Sequence, residues 1–384
     1  MKNSLLITTP YLSNIGGTEI EAVTTAVFLY DAKQYKRISI FTPKNINNNL
    51  FKTMVNNRDI HFFNYPKGLE SSFITLIDRL FFKLNFRIRF SEFIYWKYKS
   101  LFYSSLYVLA YPKSVYFFPI LKAFSKQKNR TAKITLWHFK ILVKQHLKYY
   151  KKFNSIVVFN TKQSDFWKDK YKLNNLFVSD IIIPNEEKLL NVAPVNFDLV
   201  DTLKFGYLGR IAKEKNIEAM IKLIAFLNNS KNKKVTLLIQ GVGEEEYIKS
   251  LVDLAASLNV LKNISFSQNV ILPTQIHTFY KQIHVFLVTS LHEGGPITAL
   301  EAAAAGRMLL SYNVGAMQDR FSTIPCVVNN SFEALCDSAM NFINLDYQEK
   351  NDIIFKLKEL YKSKLSNTNK GQELSKILRN AFKQ

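Results

Sequence analysis

The sequence contains little cysteine, glycine or proline. Its two cysteines, Cys326 and Cys336, cannot form a disulfide framework, and their spacing is not that of a metal-ligand set. We therefore expect reduced thiols in a cytoplasmic protein. With 12 glycines, 10 prolines and 47% hydrophobic residues, the composition excludes a disordered chain. The length of 384 residues is sufficient for two domains, each with its own core.

Long apolar runs are also missing. No uncharged stretch approaches the length of a membrane span. The apolar residues near the N-terminus, Leu5, Leu6 and Ile7, form too short a run for a signal peptide. We therefore expect a cytoplasmic protein without a membrane-spanning segment.

Acids are scarce relative to bases: 30 Asp and Glu stand against 52 Lys and Arg, a net charge of +22. The excess is concentrated between Arg79 and Lys152, where 17 basic residues accompany one acid, Glu92, and 20 aromatic residues. Interleaved bases and aromatics suit an anionic membrane surface, where each Lys or Arg contributes about 1 kcal/mol. Nucleic acid would attract the same charge, and a solvated face is the plainest alternative. We favour association with an anionic membrane surface over a solvated face, and we expect no nucleic-acid partner.

The most informative stretch begins at Ser290, directly after an apolar run that predicts a buried strand over 285–289. Pro296 suits the first turn of a helix, which the following helix formers continue up to Gly306. Glu293 and Glu301 would be about 80° apart on a single helix and would not share a face. We therefore expect Glu293 in the strand-to-helix loop and Glu301 inside the helix.

The glycines in this stretch, Gly294 and Gly295, would let a ligand approach backbone N–H groups at the positive end of that helix. A sugar attached to a diphosphate suits such a site. A basic loop at 209–216 follows another predicted strand, and there Arg210 can fork onto a diphosphate while Lys215 acts as a point charge. A solvated loop is the alternative interpretation of these bases.

A third loop of this kind follows the first predicted strand. Gly16 and Gly17 precede an apolar, helix-like run and predict a backbone cradle for phosphate, although paired glycines also serve tight turns. Glu19 in the same region has two equally good interpretations, an acceptor-side group and a solvated acid in a first helical turn.

Short apolar runs alternate with helical stretches along most of the chain, which is the pattern of parallel sheets in α/β domains. Strands are predicted over 5–9, 37–41, 60–63, 115–118, 134–137, 156–159, 181–183, 203–208, 235–239, 264–266, 285–289, 308–311 and 326–328. Helices are predicted over 20–30, 217–227, 244–258 and 297–305, with one or two amphipathic helices between 73 and 102.

Two such series predict two Rossmann-like, doubly wound domains that face each other across a cleft. The predicted boundaries are a first domain over 1–185, a linker over 186–203 and a second domain over 204–364. A C-terminal helix over 365–384 is expected to pack back on the first domain.

The motifs together resemble the family 4 glycosyltransferases of the GT-B fold, whose two acids have the E-x7-E spacing, and within them the bacterial surface-polysaccharide type. The resemblance covers nearly the whole chain. It is carried by Gly209-Arg210, Glu214-Lys215, Glu293-Gly294-Gly295-Pro296, Glu301, Asn313-Val314-Gly315 with Asp319, the Gly16-Gly17 loop and Ile183-Pro184-Asn185.

This resemblance implies a retaining enzyme that needs no divalent metal and no cofactor beyond its nucleotide-sugar substrate. Glu293 would contact the donor sugar beside the reacting carbon, and Glu301 would hold the ribose hydroxyls. Arg210 and Lys215 would neutralise the departing diphosphate, while His138 matches a histidine position that faces the sugar. The sequence contains no Asp-x-Asp pair, in agreement with metal independence.

The resemblance assigns catalysis to Glu293, His138, Arg210 and Lys215. The implied donor-binding residues are Gly16, Gly17, Arg210, Lys215, Glu293, Gly294, Gly295, Pro296, Ile297 and Glu301.

The sequence departs from the family pattern at two places. Asn216 stands where a glycine is usual, and residues 242–246 lack the usual Gly-Pro, which leaves the preferred base open. The predicted reaction moves a hexose or N-acetylhexosamine from a UDP- or GDP-sugar to a lipid-linked saccharide, in O-antigen, lipopolysaccharide, capsule or related synthesis. A nucleotide-sugar epimerase of the same fold is the alternative, with a basic nucleic-acid-binding protein as a distant third.

Overall fold

The fold was analysed in a computed structural model, which describes residues 3–13, 16–83, 89–111, 115–126, 129–134, 146–229 and 234–379. The chain divides into two compact units. The first contains Met1–Ile182 together with Lys370–Gln384, and the second contains Ile183–Asn369. The chain therefore passes between the units twice.

The first unit is built on a parallel sheet. Among the described residues it has seven strands in the order β3-β2-β1-β4-β5-β6-β7. The strands are β1 (Ser4–Thr8), β2 (Arg37–Phe41), β3 (Ile60–Phe63), β4 (Ser105–Ala110), β5 (Asn129–Ile134), β6 (Ser155–Val158) and β7 (Leu176–Val178). The helices are α1 (Gly17–Asp31), α2 (Asn48–Val55), α3 (Ser72–Lys83), α4 (Phe90–Lys99), α5 (Phe118–Ala123), α6 (Leu147–Tyr150) and α7 (Thr161–Tyr171).

Several of the described aromatic side chains in the basic segment 79–152 belong to the core of this unit. Trp96, Phe117, Phe124 and Tyr150 are completely buried in one hydrophobic cluster with β4 and β5. The high aromatic content of this segment is therefore in part a property of the interior, and it is not by itself a sign of a lipid-binding surface.

A buried ion pair lies on the other side of the sheet. Lys133 on β5 and Glu21 on α1 are both almost fully buried, with 2.6 Å between Nζ and Oε1. Lys133 also donates to the carbonyl oxygen of Asp180 at 3.1 Å and lies over the ring of Phe159. Because each charge is shielded from water, each depends on the other for compensation.

The second unit has its own parallel sheet, with six strands among its described residues in the order β10-β9-β8-β11-β12-β13. The strands are β8 (Thr202–Leu208), β9 (Lys234–Gln240), β10 (Ile264–Ser267), β11 (Val285–Val288), β12 (Met308–Tyr312) and β13 (Val328–Asn329). The helices are α8 (Glu186–Leu190), α9 (Ile217–Asn229), α10 (Glu245–Ser257), α11 (His277–Tyr280), α12 (Ile297–Ala304), α13 (Met317–Phe321), α14 (Phe332–Asn344), α15 (Tyr347–Leu360) and α16 (Asn367–Arg379). Two Rossmann-like sheets confirm the predicted α/β class.

Two strand predictions in the first unit are wrong. The run 115–118 leads into α5, because Pro119 lies in the first turn of a helix, where its missing N–H costs nothing. The run 181–183 is not a strand, and the edge strand β7 precedes it at Leu176–Val178. Most of the remaining predicted strands match observed ones to within one or two residues. The predicted strand 134–137 overlaps β5 at Ile134, and its residues 135–137 lie outside the described residues.

The segment 186–203, predicted as a linker, belongs to the second unit. Tyr361 donates to the carboxylate of Glu186 at 2.6 Å, and Lys358 donates to the carbonyl of Leu190 at 2.8 Å. These contacts hold the segment against the helices that end the unit.

Helix α16 begins in the second unit and continues in the first. Gly371 lies so close to Phe28 of α1 that an added Cβ would be 2.1 Å from the ring. Ser375 contacts the Gln34 side chain at 3.0 Å, and Arg379 donates to the Gln34 carbonyl at 2.7 Å. Within the described residues, no helix has the length and apolar character needed to cross a membrane.

Candidate functional site

The candidate site lies at the carboxyl edge of the second sheet, where β8 and β11 are neighbours. The strand order reverses at this pair, since β9 and β10 lie on one side of it and β12 and β13 on the other. In open parallel sheets, ligands bind outside the carboxyl ends of the strands at such a reversal. The two loops that leave this edge are 209–216 after β8 and 289–296 after β11.

These two loops are joined by one backbone hydrogen bond and by a threonine side chain. The N–H of Leu291 donates to the carbonyl of Glu214 at 2.9 Å. The hydroxyl of Thr289 donates to the carbonyls of Asn216 at 2.9 Å and Lys215 at 3.2 Å. Thr289 is fully buried, so these bonds are shielded from water and fix the loops relative to each other.

An ion pair spans the two loops. Lys215 Nζ lies 2.5 Å from Glu293 Oε1, and both side chains are mostly buried. The same oxygen accepts a hydrogen bond from the Ser290 hydroxyl at 2.8 Å. Two predicted site residues, 78 positions apart in the chain, are thus in direct contact. A partly buried pair of this kind places one positive and one negative charge at the sheet edge.

Arg210 has a different partner. Its guanidinium pairs with Glu214 in the same loop, and its side chain is 68% exposed. The buried Tyr207 donates from its hydroxyl to the Arg210 carbonyl at 2.6 Å. A Cβ at Gly209 would be 2.9 Å from that hydroxyl, so glycine leaves room for the contact. Burial, reinforced by the nearby Glu293 carboxylate, raises the pKa of Tyr207 well above its ordinary value and keeps the hydroxyl a donor.

The loop ends in a left-handed residue, Asn216, with φ of 50°. This is the position at which the family pattern has glycine, and asparagine is one of the few other residues that adopt this conformation at low cost. The substitution therefore preserves the turn that places Lys215.

The next loop, after β9, approaches the basic loop backbone to backbone. Ile211 donates to the carbonyl of Val242 at 2.8 Å. A Cβ at Gly241 would lie only 1.8 Å from the Gly209 carbonyl oxygen, and one at Gly243 would lie 2.3 Å from the Ile211 oxygen. The glycines of this loop are therefore required by close backbone approach.

The acidic loop is also held from the side of β12. Gly315, at φ of 55°, fits against the Gly294 carbonyl, which an added Cβ would approach to 2.3 Å. Buried Arg320 of α13 donates to the Pro296 carbonyl at 2.7 Å. Pro296 is the N-cap residue of α12, and its side chain cannot accept a hydrogen bond. The first N–H groups of that helix, which begins at Ile297, therefore receive no hydrogen bond from a capping side chain.

Glu301 lies inside α12 and is 3% exposed. Among the described residues its hydrogen-bond partner is Tyr280, whose hydroxyl donates to Oε2 at 2.9 Å and to the Thr298 carbonyl at 3.0 Å. Burial raises the pKa of Glu301 from 4.5 to about 7. The two motif acids therefore have separate partners: Glu293 the Lys215 ammonium and Glu301 a tyrosine hydroxyl.

The first unit contains the remaining predicted positions. Gly16 is the N-cap of α1, and a Cβ there would be 2.3 Å from the Glu19 carboxylate, which folds back over it. Glu19 is buried, and burial raises its pKa to about 7. Gly17 is exposed with open space around it. His138 lies outside the described residues.

Several of these contacts were not predicted from the sequence: Ser290, Tyr207, Glu214, Tyr280 and Arg320. Ser290 and Glu214 belong to the recognised motifs and only lacked an assigned role. The described residues contain no group of three or more His, Cys, Asp or Glu side chains that could hold a metal ion.

Comparison with known families finds a match to part of the second unit. The family model described as "Glycosyl transferases group 1" matches residues 197–344. This part of the chain is similar to a group 1 glycosyl transferase domain. The domain contains the basic loop, the acidic loop, Glu301 and the Gly315 loop. Residues outside it are not covered by the match.

Two curated relatives match part of the chain. An uncharacterized glycosyltransferase of Haemophilus influenzae is 26% identical over 161 residues, which is 42% of each protein. The putative glycosyltransferase EpsF of Bacillus subtilis is 23% identical over 143 residues, 37% of this chain and 31% of EpsF. The match therefore spans less than half the length of either relative.

A solved structure matches nearly all of the chain. Anabaena Alr3699/HepE in complex with UDP and glucose superposes with a TM-score of 0.71 and 13% identity, covering 98% of this chain and 99% of that one. At this identity the likeness shows the fold alone. The fold is GT-B, as predicted.

Proposed function

We propose that the chain is a retaining glycosyltransferase that moves a hexose or N-acetylhexosamine from a UDP- or GDP-sugar to a lipid-linked saccharide. The observation that carries this proposal is the Lys215–Glu293 pair at the strand-order reversal of the group 1 domain. A UDP complex of the structurally similar HepE supports a nucleotide donor.

The charges of the site suit a diphosphate leaving group. Lys215 and Arg210 are the cations of the basic loop, and each is now neutralised by an acid, Glu293 or Glu214. An entering diphosphate would compete for both cations because it accepts the same charge-assisted hydrogen bonds. Once Lys215 turns to the phosphate, the Glu293 carboxylate is released for the sugar beside the reacting carbon.

In the proposed reaction the bond between the anomeric carbon and the diphosphate oxygen breaks, and the acceptor hydroxyl oxygen bonds to that carbon on the same face. The acceptor proton passes to the departing diphosphate. Positive charge develops on the sugar and negative charge on the leaving group, so Glu293 and Lys215 would each stabilise the charge opposite to their own. No divalent metal is part of this proposal.

Three further assignments belong to the proposal. Glu301 would hold the ribose hydroxyls, and the backbone at Gly16 and Gly17 would serve the phosphates. His138 would face the donor sugar. The acceptor would belong to O-antigen, capsule, lipopolysaccharide or related synthesis at the inner face of the cytoplasmic membrane.

The decisive experiment measures donor binding and then transfer. UDP- and GDP-sugars are screened for a rise in melting temperature, because a ligand that binds the native state stabilises it. The bound donor is then assayed for release of its sugar to water and to a lipid-linked acceptor. Absence of any shift, or a product that is only the epimerised donor, would refute the transferase.

Two variants test the role of the ion pair. Lys215→Ala should lower kcat about 100- to 1000-fold, the usual loss for a group that stabilises developing charge. Lys213→Ala removes an exposed lysine from the same turn and should leave kcat within a few-fold of wild type. Equal losses in both variants would show that only the general charge of the loop matters.

A further inference from the structure

Helix α3 carries an apolar stripe on its outer surface. Phe73, Leu76 and Leu80 are each more than half exposed, although all three are large and hydrophobic. Spacings of three and four residues place them on one face of the helix. A water-facing stripe of this kind has no role in the folded core and indicates contact with something apolar.

Helix α4 and the turn that follows it continue the pattern. Ile94, Tyr98 and Leu101 are half exposed or more. Trp96, about 200° around the helix from Ile94 at 100° per residue, is completely buried in the core. The inner face of α4 is therefore occupied, and its outer face is apolar as well.

The two helices are fixed to each other by a buried acid. Asp78 of α3 accepts from the Ser91 N–H at 2.8 Å, from the Ser91 hydroxyl at 2.7 Å and from Arg89 at 2.9 Å. On α3, Asp78 lies about 170° around the helix from the apolar stripe. The side of α3 that joins α4 is thus the side opposite the stripe, which leaves the stripe facing outward.

The charge around these stripes is positive. Between residues 72 and 102 the sequence has two acids and six bases. Both acids turn toward Arg89: Asp78 is buried, and Glu92 lies 3.1 Å from the guanidinium with most of its side chain covered. Arg79 and Lys97 are exposed on the same helices. Among the described residues, the outer surface of these helices therefore combines large apolar side chains with the exposed bases Arg79 and Lys97.

We propose that α3 and α4 dock the chain on an anionic lipid bilayer. Their apolar residues enter the boundary between headgroups and acyl chains, and the neighbouring bases bind the headgroups. The inserting residues are Phe73, Leu76, Leu80, Ile94, Tyr98 and Leu101. The biological purpose of this docking rests on the proposed function, because the lipid bilayer is where a lipid-linked acceptor would be found. The proposed surface consists of two helices and not of the whole segment 79–152, because several large aromatic residues of that segment are buried in the core.

The test uses the full chain and vesicles of two compositions, pure phosphatidylcholine and phosphatidylcholine with 30% phosphatidylglycerol as a probe lipid. We expect binding to the anionic vesicles that weakens with salt but is not abolished by it, because both charge and apolar insertion contribute. The triple variant Phe73→Ser/Leu76→Ser/Leu80→Ser should bind the anionic vesicles roughly 100-fold more weakly.

A matched control removes exposed apolar side chains elsewhere. Leu199→Ser/Phe355→Ser changes two exposed residues of the second unit and should bind vesicles like wild type. Each variant is also tested for its melting temperature and for its shift with UDP- and GDP-sugars, both in the absence of lipid. Loss of vesicle binding with an unchanged nucleotide-sugar shift would support the proposal.

Three results would overturn it: no binding of wild type to anionic vesicles, equal binding by the triple variant, or self-association of wild type that the triple variant abolishes. The last would assign the stripe to a second copy of the chain. None of these results would contradict the transferase proposal, which depends on the rise in melting temperature with a nucleotide-sugar and on transfer of the sugar. Conversely, a chain that docks on lipid but ignores all donors would refute the proposed function alone.

Discussion

The buried carboxyl group of Glu301 predicts a specific dependence of stability on pH. Burial raises its pKa to about 7 in the native state, whereas the unfolded chain has the ordinary value of 4.5. Below pH 4.5 the group is protonated in both states and costs nothing. As the pH rises from 4.5 to 7, the carboxyl group ionises in the unfolded chain but stays protonated in the native state, so the free energy of unfolding falls. Above pH 7 the group is ionised in both states, and the loss of stability is complete.

The size of this effect follows from the shift. Two and a half pKa units correspond to about 3 kcal/mol at 1.36 kcal/mol per unit. Glu301→Gln removes the titration and keeps an oxygen that can accept from the Tyr280 hydroxyl. The variant should therefore gain about 3 kcal/mol relative to wild type on going from pH 4.5 to pH 8. For a unit of this size that is roughly 10 °C in melting temperature.

Urea unfolding of both proteins across this pH range measures the difference directly. Glu245→Gln, which changes an exposed acid on α10, is the control and should run parallel to wild type. A difference between Glu301→Gln and wild type that stays constant from pH 4.5 to pH 8 would refute the reasoning, since it would mean that Glu301 titrates alike in the folded and unfolded chain.

Further predictions concern the ion pair of the first unit and the backbone of the site. Glu21→Leu should lower the free energy of chemical unfolding by about 3–5 kcal/mol because it leaves the buried Lys133 without its carboxylate partner. The double variant Glu21→Leu/Lys133→Met should recover most of this loss. An equal loss of stability in the single and the double variant would contradict this prediction. Gly241→Ala should destabilise the fold by several kcal/mol and weaken donor binding, since the new methyl group would clash with the Gly209 carbonyl. Calorimetry measures the loss of stability, and a titration with the donor measures the loss of binding. Asn216→Gly should stay within about 1 kcal/mol of wild type, whereas Asn216→Val should lose about 2 kcal/mol or more and lower kcat.

The sequence was most informative where local chemistry decides the structure. The second unit was predicted strand by strand, because each of its apolar runs is short and bounded by polar loops. In the first unit, the sequence pattern does not predict β4. Leu106 to Ala110 is buried on both faces of the sheet, so apolar and polar residues do not alternate along it, and it cannot be separated from the apolar residues before it. The apolar run 115–118 predicts a strand by itself, but Pro119, directly after it, lies in the first turn of a helix.

For the site, the sequence predicts the loops but not the partners within them. The basic loop after a predicted strand indicates both Lys215 and Arg210 as cations, and nothing local indicates that one pairs with Glu293 and the other with Glu214. That choice depends on the adjacency of β8 and β11, two strands about 80 residues apart in sequence. Tyr280 is a similar case, since a hydroxyl against Glu301 results from the packing of α11 on α12 and has no signal in the sequence.

The return of α16 to the first unit has a consequence for how the protein is made. Residues 370–379, which cover Phe28 and hold Gln34, leave the ribosome about 190 residues after the rest of that unit. At ordinary elongation rates the nascent chain waits roughly 10–40 s with this part of α1 uncovered. The first unit therefore receives its last segment only after the second unit has been made, and during that interval the ring of Phe28 is accessible to chaperones.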